Sequence, residues 1–431
     1  MSEDRRIGSF AKVRRGASPR PIGDPKYFGG NVGWVRIVDV TQHNYKYLKI
    51  TEQYLSELGQ SKSVAVDKGD LIMSICATVG KPIIVDMPAC IHDGFVQIYD
   101  LIDVDTEYLF YQLQFHEKDF EKRGQPGTQV NLNTKIVEDE EVWLPKNIDI
   151  QKKITKILSN VDRAIAHTEA LIEKYHQIKA GLMHDLFTRG IGADGKLRPT
   201  REEAPELYQE SAIGWIPREW QASCLKDILR DSGGYLQTGP FGSQLHAHEY
   251  TFEGIPFVMP QNINNGKIDE KDIARIIEKR AQSLLRHRLK IGDIIIARRG
   301  DLSRAAAIGE LEQGWVCGSG CFLLRLGGSN LDARFFSLMY RHSIVQRQVE
   351  GLAVGSTMSS LNNEIMGKLV FPCMSETEQR AIADKVALAE AKITTLELEL
   401  AKLQKQKSGL MQDLLTGKVP VKVDTDEVDH V

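Results

Sequence analysis

One stretch of this chain is written twice. Residues 179–188 read KAGLMHDLFT and residues 407–416 read KSGLMQDLLT, 228 positions apart. The same spacing separates Gln151 from Gln379, Thr128 from Ser356 and Thr188 from Thr416. A constant offset over about 60 residues means that two units of the chain end in one and the same structural module. Any fold proposed for the chain must therefore contain that module twice.

The module is a long heptad helix. Ile154, Leu158, Val161, Ile165, Thr168, Ile172, Tyr175, Lys179, Leu182 and Leu186 follow alternating steps of four and three. Ile382, Val386, Ala389, Ile393, Leu396, Leu400, Leu403, Lys407, Leu410 and Leu414 take the same ten places in the second copy. A 3.5-residue repeat keeps one apolar seam on one side of a helix, so two such stripes in one register predict a paired coiled coil. Asn147 and Ser375 are the expected N-caps, Ser375 with Glu378 as a capping box, and Gly190 and Gly417 stand past the far ends. About 38 residues at 1.5 Å each predict a rod of roughly 57 Å. Apolar residues off the seam, Leu171, Ile178 and Phe187 in the first helix and Leu398 and Leu415 in the second, are expected on the surface. A two-helix coil hides one stripe only, so such residues ask for further helices from a partner.

Ahead of each helix lie about 150 residues of mixed α/β character. Trp34–Val38 and Ile83–Val85 read as short strands, as do Phe257–Met259 and Ile294–Ile296. Gly69-Asp70-Leu71-Ile72 matches Gly292-Asp293-Ile294-Ile295 at an offset of 223, with the Gly-Asp pair suited to a tight turn entering a strand. A polar glycine loop precedes each helix. The first contains Gln125, Thr128, Gln129, Asn131 and Asn133, the second Ser356, Thr357, Ser359, Asn362 and Asn363. Amides, hydroxyls and free N–H groups of this kind cap turns or bond to phosphates and base edges.

At 431 residues the chain exceeds one ordinary core, so two or more domains are expected. Net charge is −3, but basic residues gather locally. Arg14, Arg15 and Arg20 belong to one cluster in residues 1–30, and Arg298 and Arg299 to another in residues 275–304. Basic patches on an acidic whole are compatible with phosphate contact. The opening MSEDRRIGSF is polar and no apolar run approaches the ~20 residues that span a bilayer, so no membrane partner is expected and the location expected is cytoplasmic. Six cysteines without a CxxC predict reduced, inert thiols rather than a metal site. The chain contains no GxxxxGK[ST], no HExxH and no [ND]PP[YF], and His246 and His248 lack a third ligand, so neither a catalytic nor a metal-binding residue is expected.

The order mixed domain, heptad helix, mixed domain, heptad helix, with Leu144-Pro145 and Phe371-Pro372 ahead of Gln151 and Gln379 and GLMxDLxT at each end, resembles the specificity subunit of type I restriction–modification systems. Gly239-Pro240-Phe241-Gly242-Ser243-Gln244-Leu245-His246 is similar to a run in many target recognition domains of that family, and the first unit departs from it with Arg14-Arg15-Gly16-Ala17-Ser18-Pro19. The resemblance implies a mixed α/β fold: two α/β target recognition domains separated by two long antiparallel coiled-coil spacer helices, an internal pseudo-two-fold repeat. The expected boundaries are 1–146 and 215–374 for the domains, 147–190 and 375–417 for the helices, 191–214 for a linker and 418–431 for an acidic, disordered tail. On reach alone the linker leaves parallel pairing open.

The resemblance further implies a non-catalytic reader of a bipartite, asymmetric sequence in double-stranded DNA. Its helices would seat two methyltransferase subunits, to which restriction and translocase subunits join. No cofactor belongs to this chain on that reading; S-adenosylmethionine, ATP and Mg would come with the partners. Gln237, Thr238, Ser243, Gln244 and His246, around the family-like run, join the arginines and polar loops as candidate DNA contacts. Two rival readings are a type IIB-like specificity subunit, which sequence does not separate from the first, and a coiled-coil scaffold without DNA. Salt-dependent DNA binding separates the second rival.

Overall fold

The computed structural model describes residues 3–41, 46–123, 131–240, 245–328, 331–353 and 360–422. The chain divides into two compact units, Met1–Leu171 with Leu396–Val431, and Ile172–Thr395.

In the first unit a five-stranded sheet runs in the order Lys12–Arg15, Phe95–Tyr99, Leu71–Ser74, Pro82–Val85, Tyr47–Leu48. Beside it are a four-stranded sheet, Gln53–Leu55, Phe28–Val35, Ala89–Ile91, Val64–Val66, and an antiparallel pair, Glu3–Arg6 with Glu141–Leu144. Successive strand residues point to opposite faces, which lets one strand serve two cores. Leu71 and Met73 pack with Tyr108, Leu109 and Ile154, while Ile72 packs with Val35, Ile83 and Phe95. The second unit repeats the plan with sheets Tyr235–Thr238, Cys321–Arg325, Ile294–Ala297, Ala305–Ala307 and Ala274–Ile276, Ile255–Val258, Val316–Cys317. Ile294 and Ile296 face one core there and Ile295 the other. The matched Gly-Asp pairs build the same turn. Gly69 and Gly292 have φ of +95° and +83°, and the Asp70 and Asp293 carboxylates accept the Asp67 and Lys290 N–H groups at 2.8 and 2.7 Å.

The two long helices are α1, Ile148–Thr188, of 41 residues, and α2, Glu376–Leu414, of 39. All twenty seam residues are buried or half-buried. Pairing is antiparallel within each unit. In the first, Lys407 bonds to Asp162 at 2.7 Å and Met411 and Leu414 share a core with Ile154 and Leu158. In the second, Lys179 bonds to Glu390 at 2.6 Å and Leu186 shares a core with Ile382 and Val386. Both lysines and both acids are repeat mates, 228 positions apart. The duplicated glutamines pin the helix starts: Gln151 accepts the Asp105 N–H at 2.8 Å, and Gln379 the Asp332 N–H at 2.9 Å. Asn147 caps α1 through the Asp149 N–H, and Ser375 caps α2 through the Glu378 N–H.

Three expectations need correction. Phe187 and Leu415 are not surface residues. Phe187 lies in the second unit's core, its ring 5.8 Å from that of Phe335, and Leu415 lies in the first unit's core. Each helix end is buried by a mixed domain as well as by the other helix, so burial there no longer follows the seam. The capping box on α2 is half formed. The Glu378 carboxylate instead accepts from Arg198 at 2.5 Å, the Ile191 N–H at 2.8 Å and the Trp220 indole at 3.2 Å, donors that outnumber the single N–H of the cap. Residues 191–214 accordingly include buried Ile191, Arg198, Ala204 and Tyr208.

Gly190 and Gly417 end the helices at φ of +66° and +69°, and a Cβ on either would meet a tryptophan ring, Trp220 or Trp143, within 2.4 Å. Only glycine fits both the turn and the ring. Among the described residues no helix is long and apolar enough to cross a membrane. All six cysteines are free, with Cys90, Cys317 and Cys321 buried and their thiols pushed up by that burial.

Candidate nucleic-acid interface

In each unit three backbone segments converge at one end of the larger sheet. In the first, Gly16, just past strand Lys12–Arg15, donates its N–H to Phe95 at 2.8 Å. Ile75, just past Leu71–Ser74, donates to Gly94 at 2.8 Å. The exit of the polar loop then joins them, with Leu132 donating to Ile75 at 2.8 Å and Asn131 bridged to Cys76. The second unit reproduces every link. Gly239 donates to Cys321 at 2.8 Å, Arg298 to Gly320 at 2.7 Å and Leu361 to Arg298 at 3.0 Å, while Ser360 bridges Arg299.

The glycines are required by the close approach. A Cβ on Gly16 would sit 2.2 Å from the His92 carbonyl, and one on Gly239 would sit 1.9 Å from that of Gly318. Gly16 thus does in the first unit what Gly239 opens in the second, although the flanking sequences differ. The offset of 223 that aligns the Gly-Asp turns also aligns these two glycines.

Side chains at this junction diverge between the units. Arg15 donates to the Asp93 carbonyl at 2.8 Å and Arg20 to the Asp93 carboxylate at 2.7 Å. Burial alone would raise the Asp93 carboxyl, but the Ser18 hydroxyl, His92 and Arg20 hold it below the usual range. Burial keeps His92 low, and its Nδ1 accepts the Gly94 N–H at 2.9 Å. In the second unit Arg298 is half-buried, its Nε donating to the Leu361 carbonyl at 3.0 Å and its guanidinium 5.9 Å from the Phe322 ring centre. Arg299 is exposed, with no ion pair among the described residues. It is the side chain here best placed for a phosphate or a base edge.

Other candidates lie apart from the junction or have structural work. Arg14 faces away from Arg15, bonded to Gln97 at 2.6 Å and lying over the Tyr99 ring. Gln237 donates to the Arg286 carbonyl and Thr238 is half-buried in its strand. Asn133 and Asn362, at the loop exits, cap short helices through the Ile136 and Ile365 N–H groups. His246 is exposed and stacked on His248 at 5.4 Å. Asn131 is exposed. Gln125, Thr128, Gln129, Ser243, Gln244, Ser356, Thr357 and Ser359 lie outside the described residues.

On the helices, Ile178 and Leu398 are 46% and 68% exposed, Leu171 is half-buried, and Leu388, not singled out from sequence, is 72% exposed. Leu388 sits two residues past the seam residue Val386, on the outward face that the heptad pattern itself defines. Among the described residues no cluster of His, Cys, Asp and Glu is arranged to hold a metal ion.

Residues 2–176 match the sequence model of the type I restriction modification DNA specificity domain. The chain is 24% identical over 430 residues to the type I restriction enzyme MjaVIII specificity subunit of Methanocaldococcus jannaschii, covering 97% of this chain and 92% of that one. It is also 24% identical to the putative MjaX specificity subunit of the same organism, over 74% of this chain and 69% of the other. The fold is similar to that of the crystallised type I restriction–modification S subunit from M. genitalium, with a TM-score of 0.57 at 16% identity over 98% of this chain and 97% of the other. A chain solved in work on complex assembly and conformational transition of the type I R-M system gives a TM-score of 0.55 at 12% identity, covering 97% of this chain and 98% of that one. With its doubled domains and helices, the chain is similar in sequence and in fold to type I restriction–modification specificity subunits, and its residues 2–176 match the model of their DNA specificity domain.

Proposed function

We propose that this chain is a type I specificity subunit that reads an asymmetric, two-part sequence in double-stranded DNA, one half with each mixed domain, and takes no catalytic part itself. The observation that carries the reading is the junction built twice from the same backbone bonds but lined differently: Arg15, Cys76 and Asn131 in one unit, Thr238, Arg299 and Ser360 at the matching places in the other. A shared frame with divergent lining is what two readers of unlike half-sites require, since backbone and phosphate contacts position a protein while side chains at base edges specify. Methyltransferase subunits dock on the outward faces of α1 and α2, where Ile178, Leu388 and Leu398 stand exposed without a helix to cover them. S-adenosylmethionine, ATP and Mg arrive on those subunits and on the restriction subunits.

The test is duplex binding by the chain assembled with its methyltransferase, measured across salt concentrations. Affinity for a cognate duplex is expected to fall linearly on a logarithmic salt scale. Arg299→Ala is expected to lower it by about tenfold at the second half-site alone, the range of one bidentate base contact. Salt-independent binding, or none, overturns the reading.

A further inference from the structure

One residue of the first unit turns every polar group it has towards a single short segment. Asp93 lies in the turn between strands Ala89–Ile91 and Phe95–Tyr99, and the segment is Arg15–Arg20, at the exit of strand Lys12–Arg15. The Asp93 N–H donates to the Ser18 hydroxyl at 3.2 Å, and that hydroxyl donates in turn to Oδ1 at 2.9 Å. Oδ2 accepts from Arg20 Nη2 at 2.7 Å, and the carbonyl accepts from Arg15 Nε at 2.8 Å. Arg20 and Ser18 take up the Asp93 charge. Arg15 is held by the backbone alone.

That bond orients the Arg15 guanidinium and uses only Nε. Arg15 is exposed, and among the described residues its Nη1 and Nη2 have no hydrogen-bond or ion-pair partner. Two N–H groups on one edge of a held guanidinium match two acceptors side by side, O6 and N7 of guanine or two oxygens of a phosphate. Orienting the group before binding lowers the cost of ordering it. The second unit decides between the two acceptors. Phosphate contacts are independent of sequence and suit both readers alike, whereas base contacts must differ. The turn itself is repeated: Ser319 stands two residues before Cys321, as Asp93 does before Phe95, and donates its hydroxyl to the Pro240 carbonyl at 2.7 Å. At the place of Arg15, however, stands Thr238, half-buried in its strand. The outward guanidinium belongs to one reader only.

We propose that Arg15, held by the Asp93 turn, reads a guanine in the first half-site, donating from Nη1 and Nη2 to O6 and N7. In the major groove guanine alone presents two acceptors side by side, so the half-site read by the first unit contains a G·C pair at this place. This proposal deepens the DNA-reading function above and rests on it.

The experiment uses the full chain with its methyltransferase and a duplex bearing the methylated target. Each guanine of the target is replaced in turn by 7-deazaguanine, which lacks the N7 acceptor. The parent is expected to lose about tenfold in affinity at the guanine that Arg15 contacts. Arg15→Ala should bind the natural duplex about tenfold more weakly, with an unchanged salt slope, and should bind the duplex substituted at that guanine equally well. Base changes in the other half of the target should keep their effect, which checks that the variant is folded. If Arg15→Ala lowers the salt slope by about one and leaves every 7-deazaguanine effect in place, Arg15 holds a phosphate and the guanine contact is overturned. It is overturned equally if the variant matches the parent on every duplex while salt-dependent binding persists, and the DNA-reading function then stands. If the parent shows no salt-dependent binding, that function falls and the guanine contact falls with it.

Discussion

At the scale of single residues, charge and burial decide which groups are structural. Arg198 and Glu378 are both buried, and burial alone would lower the arginine; the Glu378 and Glu219 carboxylates keep it charged. A buried cation tied to a buried anion marks a joint, since losing either partner strands the other. His342 is the other informative group. Burial, with His184 and Arg347 nearby, lowers it to about 4, and its ring lies 5.0 Å from that of Phe187. Its folded value lies below the unfolded one, so between about pH 6.5 and pH 4 the unfolded chain binds the extra proton. Stability from this group is therefore present above pH 6.5 and lost as pH falls towards 4. His342→Asn is expected to flatten that part of a melting-temperature profile relative to the parent; parallel profiles would contradict the assignment.

At the scale of elements, periodicity carried much of the information. The 3.5-residue stripe located both helices and every seam residue, because side chains at that spacing share one face whatever lies around them. The Gly-Asp turns were legible for a similar local reason. Phe187 and Leu415 were not, because domain cores a long way off in sequence bury those helix ends. Glu378 was misread as half of a local cap because its partners Arg198 and Trp220 lie about 160 to 180 residues earlier in the chain. The polar residues singled out from sequence do not form one set in the structure: Arg14 and Gln237 are tied up within the fold. Their division into caps such as Asn133 and an exposed side chain such as Arg299 needed three dimensions.

Lys179 and Lys407 belong to the same scale. Each stands in an apolar seam and reaches an acid on the other helix, an arrangement that fixes register where leucines alone permit sliding. Lys407→Glu is expected to destabilise the protein by about 2 kcal/mol, a half-buried pair broken and replaced by repulsion. Adding Asp162→Lys should recover more than half of that loss, even though Lys407 also bonds to Gln114. A double-mutant cycle in denaturant titrations measures the coupling, and a coupling near zero would remove the pair from the account.

At the scale of the whole molecule, the chain shows duplication with divergence. One frame occurs twice, with the same hydrogen bonds at Gly16 and Gly239 and at Ile75 and Arg298, while the side chains around it differ. Identical linings would suit a palindrome, as two-fold readers do. Unlike linings suit two unlike half-sequences. Methylome sequencing of cells with and without this gene tests that claim most directly. The account predicts that deletion erases methylation at one gapped motif whose two halves differ. If no gapped motif disappears, or if the lost motif is a palindrome, the account is contradicted.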